Sequence, residues 1–485
     1  MNRSGQQRAF SRILGLLCGS AGSAVVAFVT QVFLTRGMAV QAYGGLAALI
    51  AVVTLLTPVA GLCSGWFWLE LYGREGRAAV RWGKSVLRLC GMTLLVACLL
   101  LAIHIGFGMH GDVVGRSKVA ITASGGAANA IGIDSTALFW ASWLCACLML
   151  LGQALTETRA VRLQLEERFT ALAIWQTVPQ LLRWLVVIAL SMSGLLSGVN
   201  VLLGYGLVGA AIALVSLPSL LAMARGTVHA ADNKQAHATA MPSMTPSVTV
   251  PGMLACFSAA LPYCLVTLFF LIYSTGILAM VELLLDKEAA AYYNVSFLIF
   301  ASLALLPSVV YTKFLAAKIF RWWSHDRDMF VATFHLGVFA HLLLGLALGA
   351  LLWLLAPWLV PLLFGPRYAP AVAVLQILAL AVPIRFVQHG YGSVLFSKDH
   401  IHRKAAYMGI AALLSALLML LLAPRYGVTG AAVSAVLAEL LLLLLYAYGV
   451  RRYVEGIELG ATFRRSTLVQ AHRQARGRPV HGVLP

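Results

Sequence analysis

The sequence predicts an all-α polytopic membrane protein of about twelve transmembrane helices, arranged as two six-helix halves. Three observations carry that expectation. The chain of 485 residues is 61% hydrophobic and only 11% charged, with a mean hydropathy of +0.88, whereas a soluble domain carries about 25% charged residues. Apolar runs of about 20 residues, enough to cross a bilayer at about 1.5 Å per residue, recur along the whole length. Finally, one phrase is written twice: YGLVGAA at 205–211 and YGVTGAA at 426–432.

In hydrocarbon every backbone N–H and C=O must be satisfied within the protein. The apolar runs lack period-2 alternation, so they read as helices and not as barrel strands. Twelve spans are expected, near 13–34, 43–69, 85–108, 135–157, 169–192, 201–223, 254–280, 290–316, 330–356, 371–396, 405–423 and 427–449. The first run exceeds a signal-peptide core and flows into more membrane, so an uncleaved first span is expected. The Gly/Ala-rich stretch 111–133 contains Arg116 and Lys118 and reads as an outside loop. All eight cysteines fall in apolar runs without a CxxC pair or metal spacing, and neither a disulfide nor a metal nor a cofactor is implied.

Orientation follows from Lys and Arg. The termini and the loops on their side hold 27 of the 35 basic residues, the opposite loops hold six, and Arg183 and Arg385 lie inside spans. Both termini are therefore expected in the cytoplasm of a bacterial inner membrane. The net charge of +18 belongs to loops facing anionic membrane lipid, so nucleic acid is not expected as a partner.

The repeated phrase has a second echo. Tyr43 precedes Pro58 by 15 positions, and Tyr292 precedes Pro307 by 15. The chain therefore divides into a half at 1–225, a polar linker at 226–250, a second half at 251–455 and a basic tail at 456–485. Six spans per half give both halves the same orientation, a parallel repeat suited to alternating access. Gly206, Gly209, Gly427 and Gly430, with the alanines after them, suit close helix packing. Pro58 and Pro307 are hinge candidates at matched depth.

The stretches FLTRGMAVQAYGGLAALIAVVTLL, FGPRYAPAVAVLQILALAVPIRFV and LLAPRYGVTGAAVSAVLAELLLL resemble the polysaccharide biosynthesis transport proteins, the Wzx-type oligosaccharide flippases of the MOP (MATE-like) superfamily. The resemblance covers about residues 10–450. It implies a MATE/MOP-like fold. It also implies translocation of an undecaprenyl-pyrophosphate-linked oligosaccharide from the cytoplasmic to the periplasmic leaflet, for O-antigen, capsule or exopolysaccharide. It further implies coupling to a proton or sodium ion, and neighbours among the polysaccharide assembly proteins. Relatives that flip the peptidoglycan precursor line the cleft with arginines and an acidic residue on their first, second and eighth spans; here spans one and two lack a mid-membrane Arg or Asp, Arg12 and Arg36 lying at span ends, which speaks against that subfamily.

Such a substrate demands a wet, cationic cleft, and phosphate prefers the bidentate fork of Arg. Charges inside spans are costly and are functional candidates by default. Arg183 shares a helical face with Gln176 and Gln180, and Arg385 with Gln388 and His389; each Arg follows a proline, Pro179 or Pro383. Arg183, Arg385, Gln180, Gln388 and Lys313 are the substrate-site candidates, against readings as snorkelling or positive-inside anchors. Glu439, the only carboxylate well inside a span, is either the ion-coupling group or a structural partner of an Arg such as Arg385. The alternatives are a cation-coupled multidrug exporter of the same superfamily, which would favour acidic cleft residues, and a membrane polysaccharide polymerase. The outside loops lack the carboxylate or His/Asp constellation an enzyme would need, so the chain is expected not to be an enzyme. A non-transporting scaffold of the assembly complex stays open.

Overall fold

A computed structural model of the protein describes residues 3–61, 64–122, 135–227, 251–309, 327–395 and 401–453. Among them no strand occurs. The helices are α1 (Arg3–Gly37), α2 (Val40–Ala60), α3 (Ser64–Glu75), α4 (Gly83–Thr122), α5 (Ser135–Leu165), α6 (Phe169–Met192), α7 (Gly198–Arg225), α8 (Met253–Ser274), α9 (Gly276–Leu284), α10 (Lys287–Val309), α11 (Arg327–Phe364), α12 (Ala371–Ala379), α13 (Ala381–Val394) and α14 (Ile401–Tyr453). A helix stands at each expected span position within the described residues. Length and hydropathy qualify eight of them to cross a membrane, or nine with a bent pair counted as one span. The count of twelve remains an expectation of the sequence. The chain is a multi-pass membrane protein on these helices and its composition.

In hydrocarbon no water is at hand to satisfy a hydroxyl. Hydroxyls within the spans bond their own helix: Thr54 to the Ile50 carbonyl at 2.8 Å, Thr93 to Leu89 at 3.0 Å and Thr156 to Gly152 at 2.7 Å. Large apolar side chains point outward, with Leu207 70% and Leu214 73% exposed on α7. In water such exposure would be costly; against lipid it is the favoured state.

The chain forms two compact units. The first comprises 1–24, 39–48 and 269–485, and the second 25–38 and 49–268. In the second unit α5 and α7 pack backbone on backbone. A Cβ at Gly209 of α7 would lie 2.5 Å from the Leu148 carbonyl oxygen of α5, and one at Gly152 would lie 2.6 Å from the Gly209 oxygen. These glycines therefore set the spacing of α5 and α7. A second cluster gathers Phe67, Trp68, Tyr72, Trp82 and Met223. There the Tyr72 hydroxyl donates to the Met223 carbonyl at 2.6 Å. Gly226, with φ +73, ends α7 in the left-handed cap that glycine adopts without strain.

In the first unit, α12 and α13 bend by 42° at Leu380. The cause is Pro383, which has no N–H for the Ala379 carbonyl. Gly345 and Gly349 of α11 fit that bend: Cβ atoms there would meet the Pro383 Cα at 2.7 Å and the Ala379 oxygen at 2.9 Å. Helix α14 is two helical arms joined at Gly427, whose φ of +61 breaks the helix. Contacts pair Gly430 with Leu422, Ser434 with Met419 and Gly449 with Tyr407. The nearly constant sum of paired positions makes the arms an antiparallel hairpin, which separates spans eleven and twelve as expected.

Two details differ from the sequence expectation. The stretch 111–133 is not wholly loop, because α4 continues through Thr122. The helix of 40 residues extends about 60 Å, well beyond a hydrocarbon core. Helix α7 also starts before the expected 201, at Gly198, where the Ser197 hydroxyl accepts from the Asn200 N–H at 3.2 Å.

Candidate functional site

Polar groups converge in the first unit, between α8, α10, α13 and the second arm of α14. Arg385 comes from α13, just past the Pro383 bend. Its Nη1 lies 3.4 Å from Glu439 Oε1, and the two side chains are 7% and 5% exposed. Arg385 also neighbours the Tyr273 side chain of α8 and lies over the rings of Phe300 at 5.2 Å and Phe270 at 6.0 Å. Gln388, one turn on, donates from Nε2 to the main-chain carbonyl of Glu439 at 2.7 Å. Two of the predicted substrate residues and the predicted ion-coupling residue therefore form one buried assembly.

The assembly is incompletely satisfied. Glu439 Oε2 is buried without a hydrogen-bond partner, as is the hydroxyl of Tyr293. Both residues line a cavity, with Tyr273, Ser274, Phe297 and Phe300 among its other walls. A buried unpartnered carboxylate oxygen is costly. It marks a place where a proton, or a group that donates one, would be stabilised.

Arg183 is placed differently. It lies in the second unit on the face of α6 that carries Trp175, Pro179 and Val187. Its guanidinium sits 5.5 Å from the centroid of Tyr205 on α7. Its Nε is buried without a hydrogen-bond partner, and among the described residues it has no carboxylate partner. Gln180 is half-buried one turn before it. Pro58 is a buried residue two positions before the end of α2. Pro307 lies in α10. Lys313 lies outside the described residues.

Sequence reading missed two buried polar residues of the first unit, Tyr446 and Lys404, the Lys404 Nζ lying 5.9 Å from the Tyr446 ring centroid. Tyr446 follows Glu439 by two helical turns on the same face, a spacing that was available. Lys404, by its place before span eleven, reads in the sequence as a loop residue. It is 8% exposed, and its Nζ donates to the Gly392 carbonyl at 3.1 Å. Only the tertiary structure turns it inward, because Gly392 leaves room between Lys404 and the Tyr446 ring.

No protein-family model matches the chain, and no curated protein does. Solved structures do. The lipid II flippase MurJ in an inward closed conformation is similar with a TM-score of 0.61 at 11% identity, over 90% of this chain and 87% of that one. The eukaryotic MATE transporter AtDTX14 is similar with a TM-score of 0.52 at 13% identity, over 97% and 98%. The MATE multidrug transporter DinF-BH has a TM-score of 0.55 at 14% identity, over 91% and 94%. The chain thus shares its fold with the MurJ lipid II flippase and the MATE transporters over nine-tenths or more of its length.

Proposed function

We propose that the chain is a transporter of the MOP superfamily, of the Wzx type, and not an enzyme. It flips an undecaprenyl-pyrophosphate-linked oligosaccharide from the cytoplasmic to the periplasmic leaflet by alternating access between two parallel six-helix halves. Arg183 carries this reading: a guanidinium in a membrane-spanning helix with no carboxylate partner among the described residues favours an anion. Arg385, Gln180, Gln388 and Lys313 complete the cationic path, Glu439 serves ion coupling, and Pro58 and Pro307 serve as hinges. The basic asymmetry of the loops supports an inner-membrane location with both termini cytoplasmic. The likeness to MurJ supports a lipid-linked cargo on fold alone.

Deletion of the gene, with analysis of lipid-linked intermediates and surface polysaccharide, tests the proposal. Loss of polymer with oligosaccharide-lipid accumulating in the inner leaflet is expected. Normal translocation with unpolymerised units on the periplasmic face would refute it. The MATE structures favour a second reading, a cation-coupled drug exporter. In that case deletion would leave the polysaccharide intact and lower resistance to cationic drugs.

A further inference from the structure

We propose that Gln153 and Glu157 of α5, beside Thr57 of α2, form the subsite that holds a sugar of the cargo, and that the sugar held there is uncharged and rich in hydroxyls. The inference rests on the lipid-linked-oligosaccharide reading above. It adds which residues meet the glycan, as distinct from the arginines that meet the phosphate.

Two polar groups on α5 lack protein partners, both within the second unit. The apolar window of α5 runs over Phe139–Leu165, long enough to cross a membrane. Glu157 stands about 12 Å short of its last residue. Its side chain is exposed and makes no hydrogen bond or ion pair with the described residues. Gln153, one turn earlier on the same face, is half-buried. Its Oε1 accepts from the Thr57 hydroxyl at 2.9 Å, and its Nε2 has no partner among the described residues.

The arginines nearest in sequence are committed elsewhere. Arg159 donates to the Val215 carbonyl of α7 and lies 4.4 Å from the Trp175 ring centroid of α6. Arg162 pairs with Glu166 at 2.8 Å and reaches Ser219 Oγ at 3.5 Å. At about 100° per residue, both lie on the far side of α5 from Glu157. Gly65 of α3 packs beside Glu157 instead: a Cβ there would meet the Glu157 Cβ and carbonyl oxygen, each at 3.6 Å. That neighbour has no side chain to satisfy the carboxylate. A carboxylate and an amide without partners in an apolar helix are costly against lipid. They are stabilised where water, or a ligand that replaces it, has access.

The chemistry of the pair selects the ligand. A carboxylate only accepts hydrogen bonds, and the Gln153 Nε2 only donates. A sugar hydroxyl does both. Side chains four apart on a helix have Cβ atoms about 5–6 Å apart, so these two can converge on neighbouring hydroxyls of one ring. One hydroxyl donates to Glu157 and the next accepts from Gln153. Thr57 holds the oxygen end of the amide and leaves the donor end outward. A phosphate or an acidic sugar is repelled by Glu157. A simple cation would use the carboxylate but leave the amide donors unmet.

The test compares two probes by calorimetry on the full chain in detergent: undecaprenyl pyrophosphate, and the oligosaccharide-lipid fraction purified from the deletion strain. Glu157→Ala and Gln153→Ala should each weaken binding of the oligosaccharide-lipid about tenfold and change binding of undecaprenyl pyrophosphate by less than about twofold. Equal loss for both probes, or no loss for either, overturns the sugar subsite and leaves the lipid-linked cargo standing. A fraction whose glycan holds only acidic sugars overturns the subsite as well. Absence of such a fraction, or its failure to bind the wild-type chain, overturns both readings. Ethidium binding that depends on Glu157 overturns the subsite by giving the carboxylate to a cationic drug. Where a variant fails to fold, carbodiimide labelling of Glu157 in the wild-type protein decides. The oligosaccharide-lipid should slow the labelling and undecaprenyl pyrophosphate should not; equal rates overturn the subsite.

Discussion

At the scale of single residues, the two membrane-embedded arginines have opposite surroundings. Arg385 is neutralised by Glu439, whereas Arg183 lies over the Tyr205 ring and has no carboxylate partner among the described residues. A cation–π contact is a weak substitute for a counter-ion, so Arg183 is the group expected to respond most directly to an anion. Arg183→Gln should lower translocation at least about tenfold, a loss of about 1.4 kcal/mol, and Arg183→Lys should retain more. Flux of lipid-linked oligosaccharide in inverted vesicles reads this; full activity of the Gln variant would remove Arg183 from the path. Glycine gives a sharper structural contrast. Gly209→Val forces a Cβ to 2.5 Å from the Leu148 oxygen and should destabilise by about 1–3 kcal/mol or more. Gly91 of α4 has nothing within 4 Å of an added Cβ, so Gly91→Ala should be neutral or stabilising by up to about 1 kcal/mol. Thermal unfolding in detergent compares the two, and equal effects would refute the close-packing account.

At the scale of elements, the start of α2 joins the first unit through a buried aromatic cluster. Asn294 Nδ2 donates to the Tyr43 hydroxyl at 2.7 Å. Tyr368 sets its ring edge-to-face against both Tyr43 and Tyr292, at 6.3 and 6.2 Å. A Cβ at Gly44 would collide with the Lys287 carbonyl oxygen. Segment 39–48 is thus held to α10 although about 240 residues separate them in sequence. A double-mutant cycle of Tyr43→Phe and Asn294→Ala should return a coupling of about 1 kcal/mol; additive effects would mean the contact contributes nothing. The repeated phrase also resolves at this scale. In the first copy Gly206 and Gly209 lie inside α7 and meet α5, at Cys145 and Leu148. In the second, Gly427 makes the turn and Gly430 closes on Leu422 of the adjoining arm. One apolar phrase serves two packings, because small residues permit close approach without specifying the partner.

At the scale of the whole molecule, the placement of the 35 basic residues makes the topology testable. Epitope tags in 226–250 and after 456 should be reached by membrane-impermeant reagents only from the cytoplasmic side, and a tag in 123–134 only from the outside. A tag in 226–250 reached from outside would mean that the first half does not hold an even number of spans. The count of spans and the orientation of the proposed halves would then both need revision.

The sequence by itself determined the all-helical membrane class, because hydrocarbon imposes the same requirement on every segment and that requirement is written in composition and run length. It also marked Arg183, Arg385, Gln388 and Glu439 as anomalies, since polar groups inside apolar runs stand out one at a time. It offered the Arg385–Glu439 pair only as one of two readings of Glu439, and it did not reveal that Lys404 turns inward or that α4 outlasts its apolar run. The pairing and the inward turn depend on the bend at Pro383, the space left by Gly392 and the hairpin at Gly427. Each is a contact between residues far apart in the chain or a local break in a helix. Only the tertiary structure decided them, because the energy of a buried charge depends on which partner packing brings within reach.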